Sequence, residues 1–355
     1  MRVLQISSAR SIGGGERHLI DLSNELAKRG HEIFVALVSN SPVREKLTEV
    51  PPTNIREFPL RNALDISTAM KIAKFARENN VELINAHFAK DYPVAAVASR
   101  LSKIPFVITR HVLFPMNGMH RFILSKVKYV IAPSNAVAAS LRDQGLFPNE
   151  KIVTIRYGLD VENFPLRDPE GRTVFCVGSI GNLDPVKGFD VLIRAAEIVT
   201  KKRPDVKFKI IGEDRSRDGR NKKELNKLIE DLNLNETVEL AGWSDNIADV
   251  LPGFDIFVSA SRSESFGFVI AEAMLSGVPV IASETEGAKE IIVNPDLGVL
   301  VPIANSQALA NAIIDLLSNN QRRSTLSNQG RVHIAENFSV RKTVDETEAL
   351  YRRVV

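Results

Sequence analysis

Glu264 and Glu272 stand with seven residues between them in the apolar stretch SESFGFVIAEAMLSGVPVIAS, residues 263–283. A carboxylate in such surroundings is costly to bury unless something pairs with it. Between the two lies Phe266-Gly267. Gly267 can open a helix, and helix-opening amides point at anions. Carboxylates accept hydrogen bonds from hydroxyls, whereas amides and lysines hold phosphates. Two carboxylates beside such amides therefore suit a ligand that carries both, as a nucleotide sugar does. The plain alternative is a pair of solvated surface glutamates.

Three further loops carry compatible chemistry. Gly13-Gly14-Gly15 lies between a strand pattern and a helix pattern, where consecutive glycines let the backbone approach an anion closely. It is not the dinucleotide fingerprint, because His18 stands where the third glycine belongs. A tight turn is the other reading. In VGSIGNLDPVKGFDVLIRAA (177–196), a strand pattern ending at Val177-Gly178 leads to Lys187, whose point charge suits a phosphate unless it is simply solvated. IIGEDRSRDGR (210–220) places Arg215, Arg217 and Arg220 after another strand end, as a phosphate clamp or a charged loop. His87 and His111 both follow strand patterns, where a parallel sheet exposes its functional side chains.

What must position these residues is an alternation of strands and helices. Residues 3–7, 33–38, 56–58, 83–85, 106–109, 129–132 and 152–155 read as strands. Helical spacing runs from Leu19 to Ala27, with Gly30 at the expected end, and helices follow Asp65 and Ser134. After a polar segment at 160–171, which reads as a linker, the alternation restarts. Strands are expected at 173–177, 207–211, 238–240, 256–259, 278–282 and 298–301, and three helices close the chain. Such alternation predicts α/β architecture with parallel sheets covered on both faces.

Bulk properties agree with a globular chain. Its 355 residues suffice for two domains, 44% are apolar and 25% charged. No apolar run approaches the ~18 residues of a spanning helix, and the start MRVLQISS lacks the pattern of a secretory signal. Cys176 is the only cysteine, so no intrachain disulfide forms; its expected role is a small buried side chain. Net charge is +3, but residues 92–142 contain no acid and carry Arg100, Lys103, Arg110, Arg121, Lys126, Lys128 and Arg142. That one-signed field favours an anionic partner. Phe114–Val130 mixes apolar and basic residues and reads either as a surface for an anionic leaflet or as a buried amphipathic helix. Aromatic platforms for nucleic acid are sparse there.

The Glu264/Glu272 stretch is similar to the signature of the family-4 retaining glycosyltransferases of the GT-B fold. The resemblance spans nearly the whole chain: GGGERHLIDLSNELAKRGHEIFV, VITRH, APSNAV, IRYGLD, VGSIGNLDPVKGFDVLIRAA, IIGEDR, AGW, FVSASRSESFG and SETEGAKEII follow in the family's order. It implies two facing Rossmann-like domains with a cleft between them. Residues 1–164 would bind the acceptor, residues 165–338 would bind the nucleotide sugar, and 339–355 would form a helix crossing back to the first domain.

By the same resemblance, Glu272 takes the ribose hydroxyls and Glu264 lies near the transferred sugar. Amides at Phe266-Gly267, with Lys187 and the Gly14-Gly15 loop, hold the diphosphate, and His111 contacts the donor sugar. Catalytic roles thus fall to His111, Lys187 and Glu264, while His87, Arg110, Arg121, Lys126 and Lys128 are candidates for the acceptor or a membrane. Members often carry an arginine after the strand; here that place reads Ser179-Ile180, so Arg215 or Arg217 replaces it, or Lys187 and the backbone suffice. The usual asparagine of a second landmark is Tyr157.

The resemblance implies retention, with no cofactor. Prearranged amides and Lys187 can stabilise the leaving diphosphate without a metal, and no residue stands out as a covalent nucleophile. The acceptor is expected to be a glycan or lipid-linked glycan, as in lipopolysaccharide or other envelope glycan synthesis. The expected location is cytoplasmic, including peripheral attachment to the inner face of the cytoplasmic membrane. A phosphorylase, a nucleotide-sugar epimerase and a non-catalytic nucleotide-sugar-binding subunit are the alternatives.

Overall fold

A computed structural model describes residues 1–62, 65–167 and 174–355. The chain divides into two compact units, Met1–Gly158 with Phe338–Val355, and Leu159–Asn337. The end of the expected linker, from residue 168, and the first residue of the strand expected at 173–177 lie outside the described residues.

In the first unit the strands are β1 (Arg2–Ser7), β2 (Glu32–Val38), β3 (Ile55–Phe58), β4 (Leu83–Ala86), β5 (Phe106–Thr109), β6 (Val130–Ala132) and β7 (Ile152–Thr154). They form one parallel sheet in the order β3-β2-β1-β4-β5-β6-β7. Val3 pairs with Ile33 on one side and Leu83 on the other. Alternate residues feed two cores. Leu4, Ile6, Phe34 and Ala36 belong to one, while Val3, Ile33, Val35 and Leu37 belong to the other. A sheet covered on both faces needs such continuous apolar strands.

The second unit holds β8 (Phe175–Ile180), β9 (Val206–Ile211), β10 (Val238–Gly242), β11 (Ile256–Ser259), β12 (Val280–Ser283) and β13 (Val299–Val301). Their order, β10-β9-β8-β11-β12-β13, repeats that of the first six strands, and every pair is parallel. Both sheets are Rossmann-like, so the α/β expectation holds. In each, the order reverses beside the first strand, between β1 and β4 and between β8 and β11. Open parallel sheets bind ligands at that crevice, outside the strand carboxyl ends.

Caps explain where the helices start. Asp65 accepts from the Thr68 amide, Ser134 from Val137 and Asn305 from Ala308. The helix Gly14–Lys28 ends before Gly30, whose φ of +83° favours glycine. The last helix, Val340–Arg352, belongs to the first unit, where Val344, Leu350 and Tyr351 share a core with Leu19, Leu22 and Leu26. The Arg29 guanidinium fixes it by bonding Asp345 at 2.6 Å and the Arg341 carbonyl at 3.3 Å.

Two expectations need correction. β8 does not stop at Gly178 but continues through Ser179-Ile180. A Cβ on Gly178 would sit 2.2 Å from the Phe254 ring, so the glycine marks close packing within the strand, not its end. Cys176 is half-buried in β8. Phe114–Val130 forms neither a long amphipathic helix nor a continuous buried one; its helix is His120–Ile123, four residues long. Among the described residues no helix is long and apolar enough to cross a membrane.

Candidate active site

The second unit gathers its candidates at the β8/β11 crevice. Lys187 ends a single 3-10 turn, Pro185–Lys187, opened by Asp184, whose carboxylate accepts from the Val186 amide. Gly188 follows at φ +66°, and a Cβ there would strike the Ala260 carbonyl oxygen at 2.1 Å. Glycine alone fits this place, and it pins the lysine turn against the end of β11. Lys187 Nζ lies 2.5 Å from Glu264 Oε1, the same oxygen to which Ser261 Oγ donates at 2.9 Å. The pairing joins two loops from neighbouring strands and is only partly open to water. Arg262 forks onto the Asp190 carboxylate at 2.7 and 2.9 Å, tying the β11 loop to the helix Phe189–Lys202 that follows the lysine turn. That fork holds the Asp190 carboxyl below its usual range despite partial burial.

Gly267 caps the helix Phe268–Leu275 at φ +96°, a left-handed conformation that favours glycine. Phe266 is buried and meets Phe268 edge-on at 5.1 Å. The following helix packs tightly here: the Gly287 amide donates to the Glu264 carbonyl at 3.1 Å, and a Cβ on Gly287 would lie 2.6 Å from the Phe266 oxygen. Glu272 is 0% exposed, one turn inside the helix. A carboxylate buried to that degree is not the solvated surface residue of the plain alternative. Arg215 bonds Glu213 at 2.9 Å and lies 5.5 Å from the centre of the exposed Trp243 ring. Ser179 Oγ donates to the Val258 carbonyl at 2.7 Å, so this serine is part of the sheet rather than of an anion loop.

In the first unit the candidates collect at the β1/β4 crevice. Gly13 caps the helix Gly14–Lys28, and its amide donates to Glu16 at 2.9 Å. Gly15 backs onto His111: an added Cβ would sit 2.9 Å from the ring. The glycine loop and the histidine are therefore one packed unit. His111 stacks on His87 and on Tyr157, with ring centroids 5.4 and 5.8 Å apart, and His18 closes the group 5.0 Å from Tyr157. The Tyr157 hydroxyl bonds His111 Nδ1, His111 Nε2 meets His87 Nδ1 at 3.2 Å, and His87 Nε2 meets Gln5 Oε1 at 2.8 Å.

Sequence reasoning noted Tyr157 without giving it a role and passed over Gln5 and Asn85 as site residues. Their signal was present: Gln5 and Asn85 are polar residues inside otherwise apolar strands, and both are fully buried. His87, expected to meet an acceptor, is instead enclosed behind His111. Arg110, expected among the surface basic residues, is also buried, and its guanidinium donates to the Phe114 carbonyl. Arg121, Lys126 and Lys128 are exposed. Among the described residues no group of three or more His, Cys, Asp or Glu side chains is arranged to hold a metal ion.

Burial controls the charges of the first unit. It lowers His18 to about 4 and holds His87 and His111 well below the ordinary range, helped by their mutual repulsion. It raises Asp91 to about 6, although the carboxylate accepts from the Ser8 amide at 2.8 Å. The signs oppose. Unfolded histidines take up protons near pH 6.5 while the folded ones resist, so their stabilisation is lost as pH falls below 6.5. Asp91 contributes stability that is complete below about pH 4 and lost as pH rises through about 6. Each group is worth up to ~1.4 kcal/mol per pH unit, and the histidines outnumber the aspartate. Melting between pH 7.5 and 4.5 should thus show the first unit losing stability in acid. Asp91→Asn should make the loss steeper, and an equal or shallower slope would overturn this balance.

Comparison with known proteins gives a consistent picture. Residues 12–163 match the family model Glycosyltransferase Family 4, and residues 163–333 match Glycosyl transferases group 1. The chain is 27% identical to the N-acetyl-alpha-D-glucosaminyl L-malate synthase of Bacillus anthracis, over 97% of this chain and 95% of that protein. It is 27% identical to the lipopolysaccharide core biosynthesis glycosyltransferase LpsE of Rhizobium meliloti, over 92% of each. Among solved structures it is similar to Anabaena Alr3699/HepE in complex with UDP-glucose, with a TM-score of 0.86, 26% identity and 99% of each chain covered.

Proposed function

We propose, from the premise that this chain belongs to the family 4, group 1 glycosyltransferases of the GT-B fold, that it transfers a sugar from a nucleoside diphosphate to an envelope glycan or lipid-linked acceptor with retention and without a metal. That it is a glycosyltransferase using nucleotide-sugar donors follows from the family. The observation carrying the finer reading is the Lys187–Glu264–Ser261 cluster beside the amides at Gly267, at the β8/β11 crevice. The second unit would hold the donor: Glu272 the ribose hydroxyls, Glu264 the sugar, and Lys187 with the Phe266-Gly267 amides the diphosphate. The Gly14-Gly15 loop and His111 would serve the transferred sugar and its phosphates, and the rest of the first unit the acceptor.

In the step itself, the bond from the anomeric carbon to the β-phosphate oxygen breaks. The acceptor oxygen bonds that carbon on the same face, and its proton passes to the departing phosphate. Lys187 and the amides meet the charge that develops on the diphosphate, which is how a preorganised site accelerates such a reaction. UDP-sugars come first among donors because Alr3699/HepE is described with UDP-glucose, and LpsE points to lipopolysaccharide-type acceptors.

The test incubates the protein with UDP-, GDP- or ADP-sugars and lipid-linked glycan acceptors. The expected product is an α-linked sugar from an α-linked donor, with one nucleoside diphosphate released per transfer, unchanged by EDTA. An inverted product, or a rate abolished by EDTA, would overturn the retaining or metal-free part. Product formation that needs free phosphate would point to a phosphorylase.

A location on the inner face of the cytoplasmic membrane belongs to the same reading. Phe114, Met119 and Phe122 are 76, 60 and 77% exposed, close in the chain to exposed Arg121, Lys126 and Lys128. Apolar tips among cations suit an anionic leaflet. Liposome flotation should therefore recover the protein with anionic vesicles and much less with neutral ones; equal recovery would sink the idea.

A further inference from the structure

We infer that Glu264 makes the donor site discriminate against its own product: the open oxygen of its carboxylate accepts from a hydroxyl of the sugar and repels the terminal phosphate of the nucleoside diphosphate left after transfer. The inference rests on the reading of Glu264 as the residue that meets the sugar.

The two oxygens of Glu264 are used differently. Oε1 receives both side-chain hydrogen bonds, from Lys187 Nζ at 2.5 Å and from Ser261 Oγ at 2.9 Å. No donor among the described residues reaches Oε2, which touches solvent on a side chain that is 15% exposed. The backbone around it is fixed. The Glu264 carbonyl accepts from the Gly287 amide at 3.1 Å, and the Arg262 amide donates to the Val186 carbonyl at 2.7 Å. Arg262 Nη1 donates to the Pro185 carbonyl at 2.6 Å. The loop after β11 and the lysine turn are therefore one frame, and it holds Oε2 outward as an acceptor.

Lys187 need not leave Glu264 to bind a ligand. An ammonium has three hydrogens, so Nζ can serve Oε1 and a phosphate oxygen together. What separates donor from product is the group that then stands near Oε2. In the donor the β-phosphate is esterified, and the sugar beyond it has hydroxyls that can donate to a carboxylate. In the product the ester oxygen belongs to a terminal phosphate. The second pKa of such a group is about 6, so at neutral pH it is close to a dianion with acceptors only. Acceptor then faces acceptor, and like charges meet. Selectivity comes from a penalty on the wrong ligand as much as from a bond to the right one. The consequence for turnover is release, because transfer of the sugar turns a contact that holds the ligand into one that expels it.

Titration calorimetry on the full chain tests this with UDP, GDP and ADP, each alone and in its glucose-bearing form. The proteins are the wild type, Glu264→Gln, Glu264→Ala and Glu272→Gln. In Glu264→Gln the amide oxygen keeps the place of Oε1 between its two donors, which puts the NH2 group where Oε2 was. For the base that binds, the expected result is a nucleoside diphosphate held roughly 3- to 10-fold more tightly than by the wild type. The glucose-bearing form should bind no more tightly than before. Glu264→Ala, which also lacks the open oxygen, should tilt the pair the same way. General repulsion of any diphosphate would tighten both ligands alike, and a merely structural glutamate would weaken both; either result, or no shift, overturns the inference. If that happens while Glu272→Gln weakens both ligands, the donor-site reading stands without it. If the Glu264 and Glu272 variants all keep wild-type affinities, or no pair binds the wild type, both fall.

Discussion

Lys187→Ala should lower kcat by roughly 100- to 1,000-fold, the usual loss when one preorganised charge-stabilising donor is removed. The lysine has the geometry for this. Its Nζ is held 2.5 Å from Glu264 Oε1, and its turn is locked by Gly188 against the Ala260 carbonyl. The diphosphate gains charge as the anomeric bond breaks, so a cation placed there interacts more strongly with the transition state than with bound donor. Donor KM should move less than kcat, because the Gly267 amides remain. Lys187→Arg should recover part of the rate only, since a planar fork cannot reproduce a point charge against one Glu264 oxygen. Steady-state kinetics on both variants decide it. A kcat within threefold of wild type for Lys187→Ala would remove the lysine from the mechanism. Lys187→Ala and Glu264→Gln should also be strongly non-additive, because the two residues share one contact.

How much of this was legible depends on how local each signal is. Both sheets could be read from apolar runs, and the caps at Asp65 and Ser134 from residue type alone, because these features involve neighbours in sequence. Short helices such as Val43–Lys46, His120–Ile123 and Ile247–Val250 were not, since four residues are too few to show a period. The end of β8 was misplaced because Gly178-Ser179 looks like a turn. What makes glycine necessary there is the Phe254 ring, 76 residues further along the chain. Arg110 reads as one more cation in an acid-free segment until its burial is seen. The donor-side candidates were visible because Glu264, Gly267 and Glu272 sit close together in sequence. The histidine chain was only half visible: Gln5 meets His87 and Asn85 meets Tyr351 across gaps of 82 and 266 residues, which no periodicity records.

Glu272→Gln should weaken donor binding by about 100-fold while leaving the fold intact. Glu272 is 0% exposed, between the equally buried Ala271 and Ala273, so its carboxylate was taken out of water at a cost of several kcal/mol. On the proposed reading, two ribose hydroxyls donate to this carboxylate when the donor binds. Hydrogen bonds to a charged group contribute about 1.5–3 kcal/mol each. Losing the charge from two of them at the low end is about 3 kcal/mol, or roughly 100-fold in Kd. The neutral amide has the same shape and keeps an oxygen acceptor, so the melting temperature without donor should change little. The two effects separate in a single thermal-shift series. With donor at 100 times the wild-type Kd, ligand stabilisation is about 2.7 kcal/mol for the wild type and about 0.4 kcal/mol for the variant. The opposite pattern, a lower unliganded melting temperature with an unchanged donor-induced shift, would make Glu272 a structural residue of its helix and move the ribose site elsewhere.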